Sequence, residues 1–360
     1  MVSQIGKDTQ YSCIGLMSGT SLDGLDVCFC TFNKNENGTW KYSINKALTL
    51  PYPHDIKSML ESAPALNGEK LTEFDYKYGS WLGKATKDFI LEIKEKPAFI
   101  ASHGHTIFHN PQKGYTLQIG KGSAISTETG IPCISDFRSS DVCRGGQGAP
   151  LVPIGDKLLF SEYDICLNLG GIANLSFDND NLERIAYDVS PCNMQLNYLS
   201  NLLGKEYDKN GELGRNGNMC SNMLSTLNNL EYYRTNHPKS LGREWFEKNI
   251  IPIIQDAGCS TEDKLRTAYE HIAYQIAYAT NSIKGKNIFI TGGGARNLFL
   301  VDLIKQKAHR EVIIPDSLTI DFKEALIFAF LGVLFIEQQH SALATVTGAR
   351  INSISGCLYY

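Results

Sequence analysis

Cys13-Ile14-Gly15-Leu16-Met17-Ser18-Gly19-Thr20-Ser21-Leu22-Asp23-Gly24-Leu25-Asp26 carries an apolar run into a turn of small, hydroxylated residues and out into a second apolar run. That alternation predicts strands over 13–17 and 25–32 joined by the turn, with a third strand near 40–48. Beyond them, 71–95 reads as a helix, with Phe74, Tyr78, Trp81, Leu82 and Phe89 near helical spacing. Residues 98–101 read as a strand, 122–129 as a helix and 132–134 as another strand.

The same plan recurs downstream. Strands are expected over 165–169, 172–177 and 182–187, the first two joined at Gly170-Gly171. A helix over 194–203 leads to a polar loop over 204–218, and an amphipathic helix over 262–282 to a strand over 287–290. Gly292-Gly293-Gly294 then opens a helix, followed by a strand over 312–314 and an apolar helix from 322. A three-strand meander feeding βα units, twice in one chain, predicts an α/β protein of two similar domains, 1–153 and 154–360, with the last ~20 residues returning to the first. This order of elements resembles the actin/hexokinase-like (ribonuclease H-like) plan, whose two domains close a cleft over ATP.

Composition narrows the function. Of 360 residues 42% are hydrophobic and 20% charged, and the net charge of −4 argues against nucleic acid or an anionic membrane as a partner. Residues 1–8 contain no apolar stretch and do not read as a signal peptide, and the run 325–336 is shorter than the ~20 residues a spanning helix needs. Its expected role is a buried core helix. Ten cysteines, none in a CxxC pair and most in apolar runs, predict reduced, buried thiols in a cytoplasmic protein.

The chain lacks both the P-loop pattern and a GxGxxG after a strand. Three glycine turns remain for binding phosphate. In the first, backbone N–H groups and the hydroxyls of Ser18, Thr20 and Ser21 can meet phosphate oxygens, while Asp23 and Asp26 suggest Mg²⁺ held through water. The second is Gly170-Gly171. The third, Gly292-Gly293-Gly294 with Ala295, Arg296 and Asn297, runs from strand into helix and suits a phosphate or an adenine–ribose contact. A plain hairpin tip and close strand–helix packing are the competing readings of these turns. Asp141, just past a strand and beside a glycine-rich segment, fits either a general base or a turn aspartate. His103, His105 and His109 lack nearby carboxylate or cysteine ligands, which favours sugar hydrogen bonds or structural use over a metal.

Gly15 to Asp26, Ser102-His103-Gly104-His105-Thr106, the span from Ser135-Asp136-Phe137-Arg138 through Gly145-Gly146-Gln147-Gly148 to Pro153, Leu167 to Ser176, and Thr291 to Asn297 together resemble the anhydro-N-acetylmuramic acid kinase family. The resemblance implies an ATP- and Mg²⁺-dependent homodimeric enzyme of peptidoglycan recycling. It converts 1,6-anhydro-N-acetylmuramic acid and water to N-acetylmuramic acid 6-phosphate. It also implies Asp141 as general base, Glu324 as a second sugar-contacting carboxylate, and an ATP loop over Gly19, Thr20, Ser21, Leu22, Asp23, Gly24, Leu25 and Asp26. His103, His105, Arg138 and Gly146 fall in its sugar-side motifs, with Arg138 and Arg144 as candidates for the lactyl carboxylate. The chain departs from the family at Asp188-Val189-Ser190-Pro191-Cys192-Asn193, where many members read Asp-Thr-Gly-Pro-Gly-Asn, and at His105, where many have Gln. A kinase for another sugar and a non-kinase actin-like ATPase are the alternative functions.

Overall fold

The computed structural model describes residues 10–360, so the stretch 1–8 read above lies outside the described residues. The described chain forms two units, one of residues up to 159 together with 322–360, the other of residues 160–321. The return to the first unit thus begins at Phe322.

In the first unit, β1 (Gln10–Ser18), β2 (Leu25–Lys34) and β3 (Trp40–Leu50) form the antiparallel meander. β4 (Phe99–Asn110) lies parallel to β1, and β6 (Cys133–Ser135) lies parallel to β4. β5 (Tyr115–Ile119) folds back on the long end of β4, and a terminal strand, Cys357–Tyr359, pairs with β6. Reading across the main path gives β6-β4-β1-β2-β3. One face of this sheet packs on the helix Gly68–Leu91, whose Phe74, Tyr78, Leu82 and Phe89 join Ile14, Leu16, Val27 and Ile100 in one core. The other face receives the helix Ser317–Ile336. That approach is so close that a Cβ at Gly15 would lie 1.9 Å from the carbonyl oxygen of Ala325. Glycine is required at Gly15 because backbone meets backbone there.

The apolar run 325–336 is buried in this helix almost throughout, and no described helix is long and apolar enough to cross a membrane. A buried ion pair, Lys323 Nζ to Asp156 Oδ1 at 2.8 Å, ties its first turns to the helix Val152–Leu159.

The second unit repeats the order. β7 (Ile165–Leu169), β8 (Ile172–Asp178) and β9 (Arg184–Pro191) form a meander, and β10 (Asn287–Thr291) and β11 (Glu311–Ile313) add parallel strands, giving β11-β10-β7-β8-β9. The helix Thr261–Asn281, begun by Ser260 accepting from Asp263 N–H, buries Leu265, Tyr269, Ile272 and Ile276 against this sheet. Both sheets therefore have the strand order and sense of the actin/hexokinase plan.

Expected and observed elements differ most at β4, which runs to Asn110 instead of stopping near residue 101. One cysteine expectation is corrected: Cys220 and Cys259 form a disulfide. Cys220 caps a short helix and Cys259 sits in a polar loop, outside the apolar runs that signalled buried thiols. Of the eight free cysteines, Cys143 and Cys357 are exposed and the rest are buried.

Candidate functional site

In the first unit the glycine turn bridges β1 and β2, with Leu22 N–H donating to the Gly19 carbonyl at 3.3 Å. Thr20, Ser21 and Asp23 are exposed, and Leu25 is buried. Gly24 has φ +155°, and a Cβ there would lie 2.7 Å from the Leu50 carbonyl, so the turn depends on glycine. Asp26 is half-buried and accepts from Thr49 Oγ1 at 2.6 Å. Ser18 differs from its sequence reading as a phosphate donor. It is buried, and its hydroxyl meets Tyr52 Oη at 2.7 Å, Tyr78 Oη at 2.9 Å and His105 Nδ1 at 2.8 Å. That hydroxyl is a hub beneath the turn.

His103 and His105 lie two residues apart on β4 yet have different partners. His103 Nδ1–H donates to the Gly104 carbonyl at 2.8 Å, and Nε2 accepts from Arg138 Nε at 3.0 Å. Burial, with the Arg138 charge adding to it, pushes this imidazole down to about 3, so it is neutral. Arg138 also donates through Nη1 to the Gly148 carbonyl at 2.7 Å, and burial lowers its guanidinium to about 10, still cationic at neutral pH. Arg144, the other lactyl candidate, donates to the Ser140 carbonyl at 2.7 Å.

Asp141 has no exposed surface. Its Oδ2 accepts from Gly148 N–H at 2.8 Å and its Oδ1 from Thr347 Oγ1 at 2.7 Å. A Cβ at Gly146 would sit 2.1 Å from Oδ2, which accounts for that glycine. Both oxygens being held this way organises the 145–148 loop and leaves a water no open approach. Glu324 is the contrasting carboxylate. Its side chain reaches solvent, yet surrounding protein desolvates it and holds it above the usual carboxylate range. Arg138 opposes that rise, Asp26 adds to it, and Lys323 opposes it more weakly.

In the second unit the two remaining glycine turns meet. Cys192 and Met194 N–H donate to the Gly171 carbonyl at 2.8 and 3.1 Å, and Asn193 N–H to that of Gly170 at 3.1 Å. Asn193 Nδ2 donates to the Leu169 carbonyl at 3.0 Å. Gly292 has φ +80°, and a Cβ on it would strike Asn168 Oδ1 at 2.5 Å. One on Gly294 would lie 2.7 Å from Leu169 Cβ. By contrast, a Cβ on Gly171 would meet nothing within 4 Å and one on Gly293 only Asn193 Nδ2 at 4.0 Å, so those backbones are open to an approaching ligand. Asn297 is engaged in structure: its Oδ1 caps the helix Leu298–Lys307 at Leu300 N–H and its Nδ2 donates to Tyr269 Oη at 2.7 Å.

Asp188, noted in the sequence only as the start of a divergent motif, proves to be the most base-like carboxylate of this unit. It lies on β9 opposite Asn174 of β8, three residues beyond the Gly171 turn. It is half-buried, its Oδ2 accepts from Leu241 N–H at 2.8 Å, and Oδ1 has no other partner among the described residues. Burial raises its carboxyl, partly offset by the Leu241 bond. No cluster of potential metal ligands occurs among the described residues.

A family model described as "Anhydro-N-acetylmuramic acid kinase" matches residues 11–360. A protein of that name from Francisella tularensis subsp. novicida (strain U112) is 35% identical, covering 96% of this chain and 97% of its own length. One from Sulfurovum sp. (strain NBC37-1) is 33% identical, covering 96% and 98%. Among solved structures, Plasmodium falciparum glycerol kinase with ADP aligns over 95% of this chain and 94% of its own at 9% identity and a TM-score of 0.46. Component A of the Acidaminococcus fermentans (R)-2-hydroxyglutaryl-CoA dehydratase aligns over 89% and 96% at 13% identity and a TM-score of 0.45.

Proposed function

The chain belongs to the anhydro-N-acetylmuramic acid kinase family, and on that premise we propose that it uses ATP and water to convert 1,6-anhydro-N-acetylmuramic acid to N-acetylmuramic acid 6-phosphate in cell-wall recycling. The observation that carries this reading is the family match from residue 11 to residue 360. The repeated sheet, with a glycine turn after the first strand of each unit, supports it.

In the first unit the exposed Thr20 and Ser21 of the glycine turn fit a phosphate group. In the second unit the open backbones of Gly171 and Gly293 suit the same kind of ligand. Asp23, exposed, and Asp26, oriented by Thr49, fit a Mg²⁺ ion held through water, which would neutralise charge on the transferring phosphoryl group. Asp188 replaces Asp141 as our general base, because a base needs an oxygen within reach of water and Asp141 has both of its oxygens engaged inside the protein. Asp188 Oδ1 accepts a proton as a water oxygen bonds to the anomeric carbon. The bond from that carbon to the bridging oxygen breaks, and this oxygen, still on carbon 6, takes the γ-phosphoryl group as ADP leaves. Glu324 and Arg138 fit contacts to the sugar and its lactyl carboxylate. A cytoplasmic homodimer belongs to the same reading, and light scattering after gel filtration tests the oligomer.

Reaction in ¹⁸O-water tests the chemistry. Label is expected on the carbon-1 hydroxyl of the product and none in the phosphoester bridge. Efficient phosphorylation of open-ring N-acetylmuramic acid, with no water oxygen incorporated, would make the chain a kinase for an ordinary sugar.

A further inference from the structure

We propose that the disulfide between Cys220 and Cys259 is a redox-sensitive clasp on the segment that positions Asp188, so that reducing it slows the chemical step while ligands still bind. This rests on the reading of Asp188 as general base and adds a regulation of that base.

One stretch of chain holds Asp188 at three atoms. Tyr232 Oη donates to its main-chain carbonyl at 2.6 Å, its N–H donates to the Lys239 carbonyl at 3.3 Å, and Leu241 N–H donates to Oδ2 at 2.8 Å. Lys239 ties this strap to itself and to β9. Its Nζ donates to the Tyr232 carbonyl at 3.1 Å and lies 4.6 Å from the centre of the Tyr232 ring and 5.6 Å from that of Tyr187, the residue before Asp188. Residues 234–238 and Ser240 are exposed, so this part of the strap has few apolar anchors and its hydrogen bonds fix where it lies. Where Leu241 sits therefore decides how the Asp188 carboxylate is turned toward water.

Cys220 and Cys259 join the two ends of the strap, 39 residues apart in sequence. Both sit beside the first turns of the helix Thr261–Asn281. Cys220 N–H donates to Thr267 Oγ1 at 2.8 Å, and Cys259 directly precedes Ser260, which caps the helix. Between the ends, Met223, Leu227, Phe246, Ile250 and Ile254 are buried in the core of the unit. These anchors keep the strap folded without the bond, while the covalent link stops its ends from parting. Accessibility separates this pair from most other cysteines. Cys220 and Cys259 are half-buried with Met219, Gly258 and Ser260 exposed beside them, within reach of a small thiol, whereas Cys13, Cys28, Cys30, Cys133, Cys166 and Cys192 are buried. The exchange balances with a small thiol as reductant. Its thiolate attacks one sulfur, forming a mixed disulfide and releasing the other cysteine as a thiolate that takes up a proton; a second thiol then resolves the mixed disulfide. Two electrons pass to the protein, both cysteines end as thiols, and the reductant leaves as its own disulfide.

The full chain is compared after oxidation with oxidised glutathione and after reduction with dithiothreitol. Thiol titration without denaturant should count two reactive cysteines, Cys143 and Cys357, in the oxidised chain and four in the reduced one. Reduction should lower kcat by roughly three- to tenfold, less than the ~10²-fold that an ångström of misplacement can cost, and leave the KM for ATP and for the sugar little changed. Hydrogen exchange should quicken over 232–241 and stay the same over β7 and β8. Re-oxidation should reverse both changes. Cys220→Ser and Cys259→Ser should each show the reduced chain's kcat under either condition, which separates the clasp from Cys143 and Cys357. Four reactive thiols after oxidation would overturn the proposal, and so would a kcat that is the same in the oxidised and reduced chains. Absence of ¹⁸O incorporation with an intact redox effect on kcat would instead remove only the anhydro-sugar reading.

Discussion

The two units share a strand order but furnish their glycine turns in opposite ways. In the first, the turn has side chains all around it: exposed hydroxyls and Asp23 on top, and the buried Ser18–Tyr52–Tyr78–His105 group beneath. In the second, two turns are pressed against each other by backbone contacts and Asn193, and what they offer is bare N–H and C=O. Duplication of a sheet thus supplies two similar edges, and the residues on each edge assign them different chemistry. The same contrast holds between Asp141 and Asp188. One carboxylate is spent on its own loop and the other has an oxygen to spare.

The sharpest way to break that contrast is to exchange the roles. Asp188→Asn is expected to lower kcat by ~10²–10⁴-fold while binding of ATP and sugar persists. Asp141→Asn should instead cost stability, about 1–3 kcal/mol from a buried donor left unpaired, with a smaller effect on kcat. Comparable kcat losses of that larger size in Asp141→Asn alone would return the base to Asp141. A pH profile checks the same point. The base works as the carboxylate, and burial makes Asp188 hold its proton to higher pH than an ordinary aspartate. The acidic limb of kcat/KM should therefore lie above the usual ~3.9 and be lost in Asp188→Asn.

Packing gives the next largest effect. The first unit lets a helix touch β1 at Gly15, so Gly15→Ala drives a methyl group into the Ala325 carbonyl. Overpacking of this kind typically costs ~1–3 kcal/mol, seen as a lower melting temperature. Gly171→Ala, with open space around it, should leave the melting temperature nearly unchanged. Equal losses from both would mean that the turns, and not the close helix, limit the fold.

Much of this is legible in the sequence. Apolar runs broken by glycine turns announce a meander, and the pattern over 122–129 has the bounds of the helix Gly122–Thr129. What escaped was long-range or chemically disguised. β4 continues past the apolar run 98–101 through Ser102-His103-Gly104-His105, polar residues that are all buried. Nothing near Asp141 announces Thr347, 206 residues away, which takes up one of its oxygens. Asp188 had a usable signal: a carboxylate at the end of a predicted strand, just before a turn into a helix. Its neighbours Val189 and Ser190 drew attention to sequence divergence instead. Cys220 and Cys259 carry no spacing motif, so their pairing is visible only in the fold.

The smallest expected effect tests the charged side of the comparison. Asp23 is exposed at the crest of the first turn, where no protein cation pairs with it among the described residues, and Asp26 lies beyond Gly24 with one oxygen accepting from Thr49. Two carboxylates beside a phosphate-binding backbone would repel ATP unless a divalent cation lies between them. Asp23→Ala should therefore shift the Mg²⁺ concentration giving half-maximal rate upward by a few-fold, as expected for one water-mediated contact worth about 1 kcal/mol. The KM for the sugar should stay the same. The second unit's turns carry no carboxylate at their crest, so Gly293→Ala should change the KM for ATP without changing the Mg²⁺ requirement. If Asp23→Ala leaves Mg²⁺ dependence untouched, the first turn binds phosphate by backbone alone, and the two edges are chemically alike after all.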